Sequence, residues 1–380
     1  MPTFNDMRLA STLVLTLALG CGGAATPSAV ADLATSTIPC TDCDAGSGPA
    51  DAGTAADAAP STKFQPGTIC NDSGQVLTPP ATLQHLIVIL FENENLGSVN
   101  GNAAAPYISS LATKCGQATQ YADNCFTDNL LSLPHYLALT SGSNCNTGLD
   151  KTGTGCITDD NDATSHHLTT QSIFDQVSSW KSYQEGMPSA CDQSSGGDSY
   201  ACKHNPAAYY SGLASCTSSD VAIPSVVCDP STKMKACGSP SNAFTQDLAN
   251  DTLPAFSFVS PNLVNDMHDG TVTQADNWLY TYLPLVFASK AYLRGDVAVM
   301  VLWDEQSTFQ FGGATPNVFI SPYITAGTLA TETINHFSVL RAMENALGIT
   351  TYLGCASGTK PGGGACPAGS TTDVRAALHF

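Results

Sequence analysis

Two stretches of this sequence end an apolar run in side-chain oxygens. The run Leu86–Phe91 is followed by Glu92, Asn93, Glu94 and Asn95, and the run Asp296–Trp303 by Asp304 and Glu305. Unbroken apolar runs of this length read as strands buried on both faces of a parallel sheet. In an open α/β sheet, ligands bind beyond the carboxyl ends of such strands. Two strands ending in acids and an amide can set four oxygen donors, Glu92, Asn93, Asp304 and Glu305, around one point. Oxygen donors on rigid elements suit a hard divalent cation. Each run alone could instead cap the next helix; the two together favour a site.

Other segments offer a nucleophile and proton carriers. In Leu131-Ser132-Leu133-Pro134-His135, Pro134 is expected at a first helical position. That puts Ser132 at or just before a helix N-terminus. Unsatisfied N–H groups and the positive dipole end there favour a nucleophilic oxygen or a bound phosphate. An ordinary Ser N-cap is the other reading. Beyond the expected strand Ala255–Val259, the loop Ser260–Gln274 carries His268 between Asp266 and Asp269. A His among carboxylates can act as an acid or a ligand. His204, in Lys203-His204-Asn205-Pro206, and His336, in Asn335-His336-Phe337-Ser338, are weaker candidates. His166-His167 has no supporting context.

Alternating strand and helix patterns position these residues. Helices are expected over Pro106–Ala112, from Ser172, over Asn277–Ala288 with Pro284 near an end or at a kink, and over His336–Leu347 with Gly348 at its C-cap. A short strand is expected at Asn317–Ile320, while residues 185–245 read as cysteine-rich loops. The pattern predicts a layered αβα fold with a mostly parallel central sheet.

Composition narrows the partners. The 380-residue chain is 43% hydrophobic and carries a net charge of -19 with only 13 Lys plus Arg. That balance excludes nucleic acid as a partner, since phosphate backbones need basic surface. It also opposes anionic substrates unless a bound cation inverts the local field.

Residues 1–21 read as a signal peptide. Arg8 precedes Leu9–Leu19, and Gly20-Cys21 resembles a lipoprotein cleavage site; plain secretory cleavage further on is the alternative. Residues 22–66, rich in Ala, Thr, Ser, Gly, Pro and Asp, read as a flexible tether. Residues 67–380 form the expected folded domain, a monomer. Fifteen cysteines suit an oxidising compartment. The neighbours Cys115 and Cys125, Cys145 and Cys156, Cys191 and Cys202, and Cys355 and Cys366 suggest local loop-stapling disulfides, though connectivity is not given by sequence.

FENENLGSVNG, SLPHYLALTSG, PNLVNDMHDGTVTQADNWL, VLWDE, NVFISPY and HFSVLRAMENALG occur here in one order. In that series the chain resembles the bacterial phosphoesterase family, over roughly residues 83–350. The family contains acid phosphatases and phosphatidylcholine-type phospholipases C and belongs to the alkaline-phosphatase-like superfamily. This chain is most similar to its shorter members, secreted acid phosphatases acting on phosphoinositide monoesters.

The resemblance implies Glu92, Asn93 and Asp304 as metal ligands. Glu305 joins them, where many members carry a second Asp. It implies Ser132 as nucleophile and His268, with His204, as the groups that protonate the leaving alkoxide or hold a phosphate oxygen. It thus implies hydrolysis of phosphate monoesters, phosphoinositides among them, through a phosphoserine. One divalent ion assists, calcium, magnesium or manganese before zinc, and backbone donors at the helix start bind phosphoryl oxygens. Two rivals remain: a phospholipase C cleaving phospholipid diesters, and a lipid-anchored, disulfide-rich surface binding module. The sequence has neither a Gly-x-Ser-x-Gly elbow nor a His-Glu-x-x-His helix. The expected location is outside the bacterial cytoplasm, either lipid-anchored in the envelope or secreted.

Overall fold

The structure is a computed structural model that describes residues 62–122, 131–143, 157, 159–307, 313–360 and 365–380. The expected signal segment, nearly all of the tether, and Cys125, Cys145 and Cys156 lie outside the described residues.

Six strands form one sheet: β1 (His85–Phe91), β2 (Trp180–Glu185), β3 (Asp220–Ile223), β4 (Phe256–Ser260), β5 (Val297–Trp303) and β6 (Asn317–Ile320). Their spatial order is β3-β2-β4-β1-β5-β6, with all pairings parallel except β5 with β6. The two central apolar runs, β1 and β5, are neighbours. Residues Leu86–Phe91 and Val297–Trp303 are buried on both sheet faces, which requires helices above and below. The layered, mostly parallel α/β fold expected from the sequence is the observed one.

Five longer helices cover the sheet: α1 (Pro106–Lys114), α2 (Ser132–Ser141), α3 (Ala243–Asn250), α4 (Val272–Ala288) and α5 (His336–Ala346). Helix α4 packs with α1 and α3, whereas α2 packs with α5. All ten residues of α2 are buried.

Several local expectations need correction. Pro134 is the third residue of α2, not the first, because α2 begins at Ser132 with Leu131 as N-cap. Proline fits there because N–H groups in the first turn have no helical acceptor. The helix expected from Ser172 is a single turn, Ile173–Gln176. Helix α4 starts at Val272, five residues before the apolar pattern suggests, because Thr271 and Gln274 make a reciprocal capping box; Pro284 lies inside it. Strands β2 and β3 border and enter the stretch read as loops. Within the segment expected as tether, Phe64 N–H donates to the Leu293 carbonyl at 2.8 Å, and the Phe64 ring meets Tyr323 edge-on.

Disulfides join Cys70 to Cys115, Cys191 to Cys216, Cys228 to Cys237 and Cys355 to Cys366. Only the last matches a pair suggested by closeness in sequence. Cys115 reaches back to Cys70 and Cys191 forward to Cys216, leaving Cys202 a buried thiol. Sequence separation is a poor guide here because a bridge needs Cα atoms within reach in space.

Candidate active site

Register explains how two distant acids meet. In the β1–β5 ladder Phe91 pairs with Trp303. Glu92 and Asp304 are therefore the next residues out on adjacent parallel strands, about 4.8 Å apart by strand spacing. Asp304 N–H donates to the Phe91 carbonyl at 3.0 Å, which continues the ladder one step. Asn93 then turns the chain with φ 54, a left-handed conformation that Asn tolerates. Its N–H donates to Asp304 Oδ1 and its Nδ2 to Glu92 Oε2, each at 3.2 Å.

Ser132 enters from α2. Its Oγ donates to Glu92 Oε2 at 2.8 Å, and Ser132 is buried. It makes no capping bond, since the N-cap is Leu131. Its hydroxyl is thus committed to the carboxylate cluster and not to the helix end. The N–H of Leu133, expected to be open to phosphate, instead donates to Asp160 Oδ1 at 3.0 Å.

Glu305 is buried beside Asp304, and carboxylate oxygens of Glu92, Asp304 and Glu305 lie within 4.8 Å of one another. Burial, then the charge of Asp304 and then that of Asp266, pushes the Glu92 pKa well above the ordinary carboxylate range. Burial also raises that of Asp304, against the opposing pull of His135 and His204. Glu92 Oε1 and Asp304 Oδ2 are buried without a hydrogen-bond partner. Orphaned, mutually repelling carboxylate oxygens fit a divalent cation, which would satisfy both defects at once.

His204 comes from a 3-10 turn, Cys202–His204, and His268 from the loop after β4. His204 stacks on Tyr136 of α2, with ring centroids 5.2 Å apart and planes 5° from parallel. Its Nδ1 lies 3.0 Å from Asp266 Oδ2. Its Nε2 lies 3.0 Å from Glu92 Oε1, but off the line that a hydrogen bond needs. Burial, with Lys203 nearby, lowers the His204 pKa to about 3, so the ring is neutral near pH 7. Burial raises Asp266 to about 8.

His268 sits half-exposed at the rim. Its Nδ1 is 2.8 Å from Asp269 Oδ1 and its Nε2 3.3 Å from Lys203 Nζ. Ring nitrogens of His204 and His268 and an oxygen of Glu92 also lie within 4.8 Å of one another. All seven residues singled out from the sequence therefore gather at one end of β1 and β5.

Sequence reasoning missed much of what supports them. Glu185 ends β2 and is buried, its pKa raised to about 7 by that burial. Its carboxylate accepts from Val226 N–H, Asn262 N–H, Asn265 Nδ2 and Trp278 Nε1, at 2.8 to 3.0 Å. That ties down the loop bearing Asp266 and His268. Met267, between them, has φ 83, which is costly for a residue with a Cβ and persists only where surroundings enforce it. Gly270 allows a tight return, because a Cβ there would meet the Val264 carbonyl oxygen at 1.8 Å. His336 accepts from the Tyr121 hydroxyl at 2.7 Å and donates from Nε2 to the Asp304 carbonyl, which fixes that residue's backbone. Tyr136 was the most findable, standing one turn from Ser132 on the same helix face.

A buried hydroxyl, a cluster of buried carboxylates and two imidazoles are groups from which a hydrolytic site can be built. The profile of the Phosphoesterase family matches residues 101–350, and the chain belongs to that family, whose members hydrolyse phosphoric esters. The matched range holds Ser132, His204, His268, Asp304 and Glu305; Glu92 and Asn93 fall just before it.

The chain is 29% identical over 268 residues to the phosphatidylinositol-3-phosphatase of Mycobacterium tuberculosis, covering 70% of this chain and 78% of that protein. It is 27% identical over 174 residues to the phosphate-repressible acid phosphatase of Penicillium chrysogenum, covering 44% of this chain and 38% of that protein. A solved alkaline phosphatase superfamily protein from Vibrio parahaemolyticus is similar at TM-score 0.44 and 15% identity, covering 75% of this chain and 71% of that one.

Proposed function

We propose that this chain is a metal-dependent phosphatase that hydrolyses phosphate monoesters, phosphoinositides among them, through a phosphoserine at Ser132. The observation that carries the reading is the Ser132 hydroxyl, 2.8 Å from Glu92 beside buried carboxylate oxygens that lack a partner. Glu92, Asn93, Asp304 and Glu305 would hold one divalent ion, and an all-oxygen set favours calcium, magnesium or manganese over zinc. When bound, the ion supplies positive charge that favours the Ser132 alkoxide and offsets the charge of the phosphoryl group.

The chain's own groups do the rest. Glu92 Oε2 orients the Ser132 hydroxyl and is its nearest acceptor. Ser132 Oγ passes its proton to Glu92 Oε2 and attacks phosphorus as the bond to the alkoxide breaks. His268, half-exposed at the rim, delivers the proton to that alkoxide. His204 is buried, neutral and held through Nδ1 by Asp266, so it orients a phosphoryl oxygen and does not carry the proton. Water then releases phosphate from Ser132.

The protein is exported, and four disulfides among the described residues support that reading. Cys21 carries a lipid anchor that keeps the domain near membrane-borne substrates. No helix among the described residues is long and apolar enough to cross a membrane.

The test is Ser132→Ala assayed with a chromogenic phosphate monoester. Turnover should vanish, and near-wild-type turnover would overturn the assignment. A phosphocholine diester run in parallel separates the phosphatase from a phospholipase C. Dialysis against a chelator separates both from a binding module, which need not lose its function.

A further inference from the structure

The position beside Ser132 that should receive phosphate already holds an anion, and that anion belongs to the protein. Asp160 Oδ1 accepts from the N–H of Leu133, the residue after the proposed nucleophile, at 3.0 Å. Asp160 Oδ2 accepts from Lys203 Nζ at 3.1 Å. Lys203 also touches His268 Nε2 at 3.3 Å and is the neighbour in sequence of His204. Among the described residues, the other ion-paired lysines and arginines, Lys181, Lys235 and Arg294, pair with Asp247, Asp229, Asp251 and Asp296, none of them a group of this site. In a chain of net charge -19, Lys203 is a cation held at this site.

We propose that Lys203 Nζ and Leu133 N–H are the donors that seat two oxygens of the transferred phosphoryl group. The Asp160 carboxylate, whose two oxygens now take one donor each, stands in for them and is displaced when substrate enters. The inference rests on the proposed reaction at Ser132 and names how its substrate is held.

Three observations support it. The two donors belong to different elements, α2 and the 3-10 turn Cys202–His204, yet converge on one carboxylate as they would on a tetrahedral oxyanion. Asp160 lies outside any helix or strand with its side chain 23% exposed, so it can swing away without disturbing the core. Charge favours the exchange, because a phosphoryl dianion entering beside Glu92, Asp304 and Glu305 meets less repulsion once Asp160 leaves. With Asp160 in place the Lys203 pKa is raised: burial lowers it, but Asp160 first, then Glu92, raise it further.

The experiment measures inorganic phosphate as a competitive inhibitor of the full chain, for the wild type and for Asp160→Asn, Asp160→Ala, Lys203→Ala and Lys203→Arg. Freed of its resident competitor, either Asp160 variant should bind phosphate roughly tenfold tighter or better, the worth of a charge-assisted hydrogen bond, and KM should fall with it. Lys203→Ala should bind phosphate at least roughly tenfold more weakly, and Lys203→Arg should recover most of the loss. If both Asp160 variants melt like the wild type yet bind phosphate equally or more weakly, Asp160 is a strut for Lys203 and the inference fails. Ser132→Ala keeps the two proposals apart: its turnover judges the nucleophile, whereas the Asp160 variants judge the seat whatever the nucleophile.

Discussion

Replacing Asp304 by Asn should stabilise the metal-free chain while abolishing its response to divalent ions. Carboxylate oxygens of Glu92, Asp304 and Glu305 lie within 4.8 Å of one another. At an effective dielectric of about 20, two full charges at that distance repel by about 3 kcal/mol. The raised pKa of Glu92 means that a proton already relieves part of this strain. Removing the Asp304 charge should therefore recover at most the order of one such pair, about 3 kcal/mol, or up to roughly 5–10 °C in Tm. Asn keeps a carbonyl oxygen that can accept from Asn93 N–H, so little is lost in exchange.

The pH dependence has a definite sign. Glu92 and Asp304 hold protons more tightly folded than unfolded. Their favourable contribution is complete below the ordinary carboxylate range and is lost as pH rises through the raised folded values. In chelator, wild-type Tm should fall as pH rises above the ordinary carboxylate range, and Asp304→Asn should flatten that fall. With saturating calcium or magnesium the order reverses, because bound ion stabilises only the wild type, by about 3 kcal/mol at a hundredfold excess over Kd. Thermal melts across pH, with chelator and with each ion, are the assay. A lower Tm for Asp304→Asn in chelator, or an undiminished rise with metal, would refute the reasoning.

Two further variants probe the supports of the site. Glu185→Gln should cost about 2–3 kcal/mol, since four donors then face a group that can no longer accept from all of them. Chemical denaturation measures that loss, and kcat should fall with it because the Asp266–His268 loop loosens. Gly270→Ala should cut turnover at least tenfold while thermal unfolding stays cooperative, because only the tight return of that loop is disturbed; steady-state kinetics beside a melt check both.

What was legible in the sequence follows from burial and periodicity. Strands β1 and β5 are buried on both faces, so their residues read as unbroken apolar runs, and the acids that end them stood out. Strand β2 was invisible because WKSYQE buries polar groups that find partners only in the folded chain: Ser182 reaches Asn205 and Glu185 reaches the 262–278 region. The seven candidate residues were named from two acidic strand ends, a hydroxyl before a proline, a histidine between two aspartates and, through the family resemblance, the histidine of His204-Asn205-Pro206. Their mutual approach depended on the register of Phe91 against Trp303, which pairing alone reveals. Asp160, within the acidic stretch Asp159-Asp160-Asn161-Asp162, and Glu185, at the end of WKSYQE, carried no signal. The partner of Cys115 was misjudged because Cys70 lies 45 residues from it, while the nearer Cys125 offered a simpler pairing.

The account stands most directly on where the phosphoryl group goes. Wild-type protein mixed with a phosphate monoester and quenched in acid during turnover, then digested for mass spectrometry, should show one added phosphoryl group on the peptide bearing Ser132, absent from Ser132→Ala. Full turnover with that peptide unmodified, or an adduct on another side chain, would contradict it.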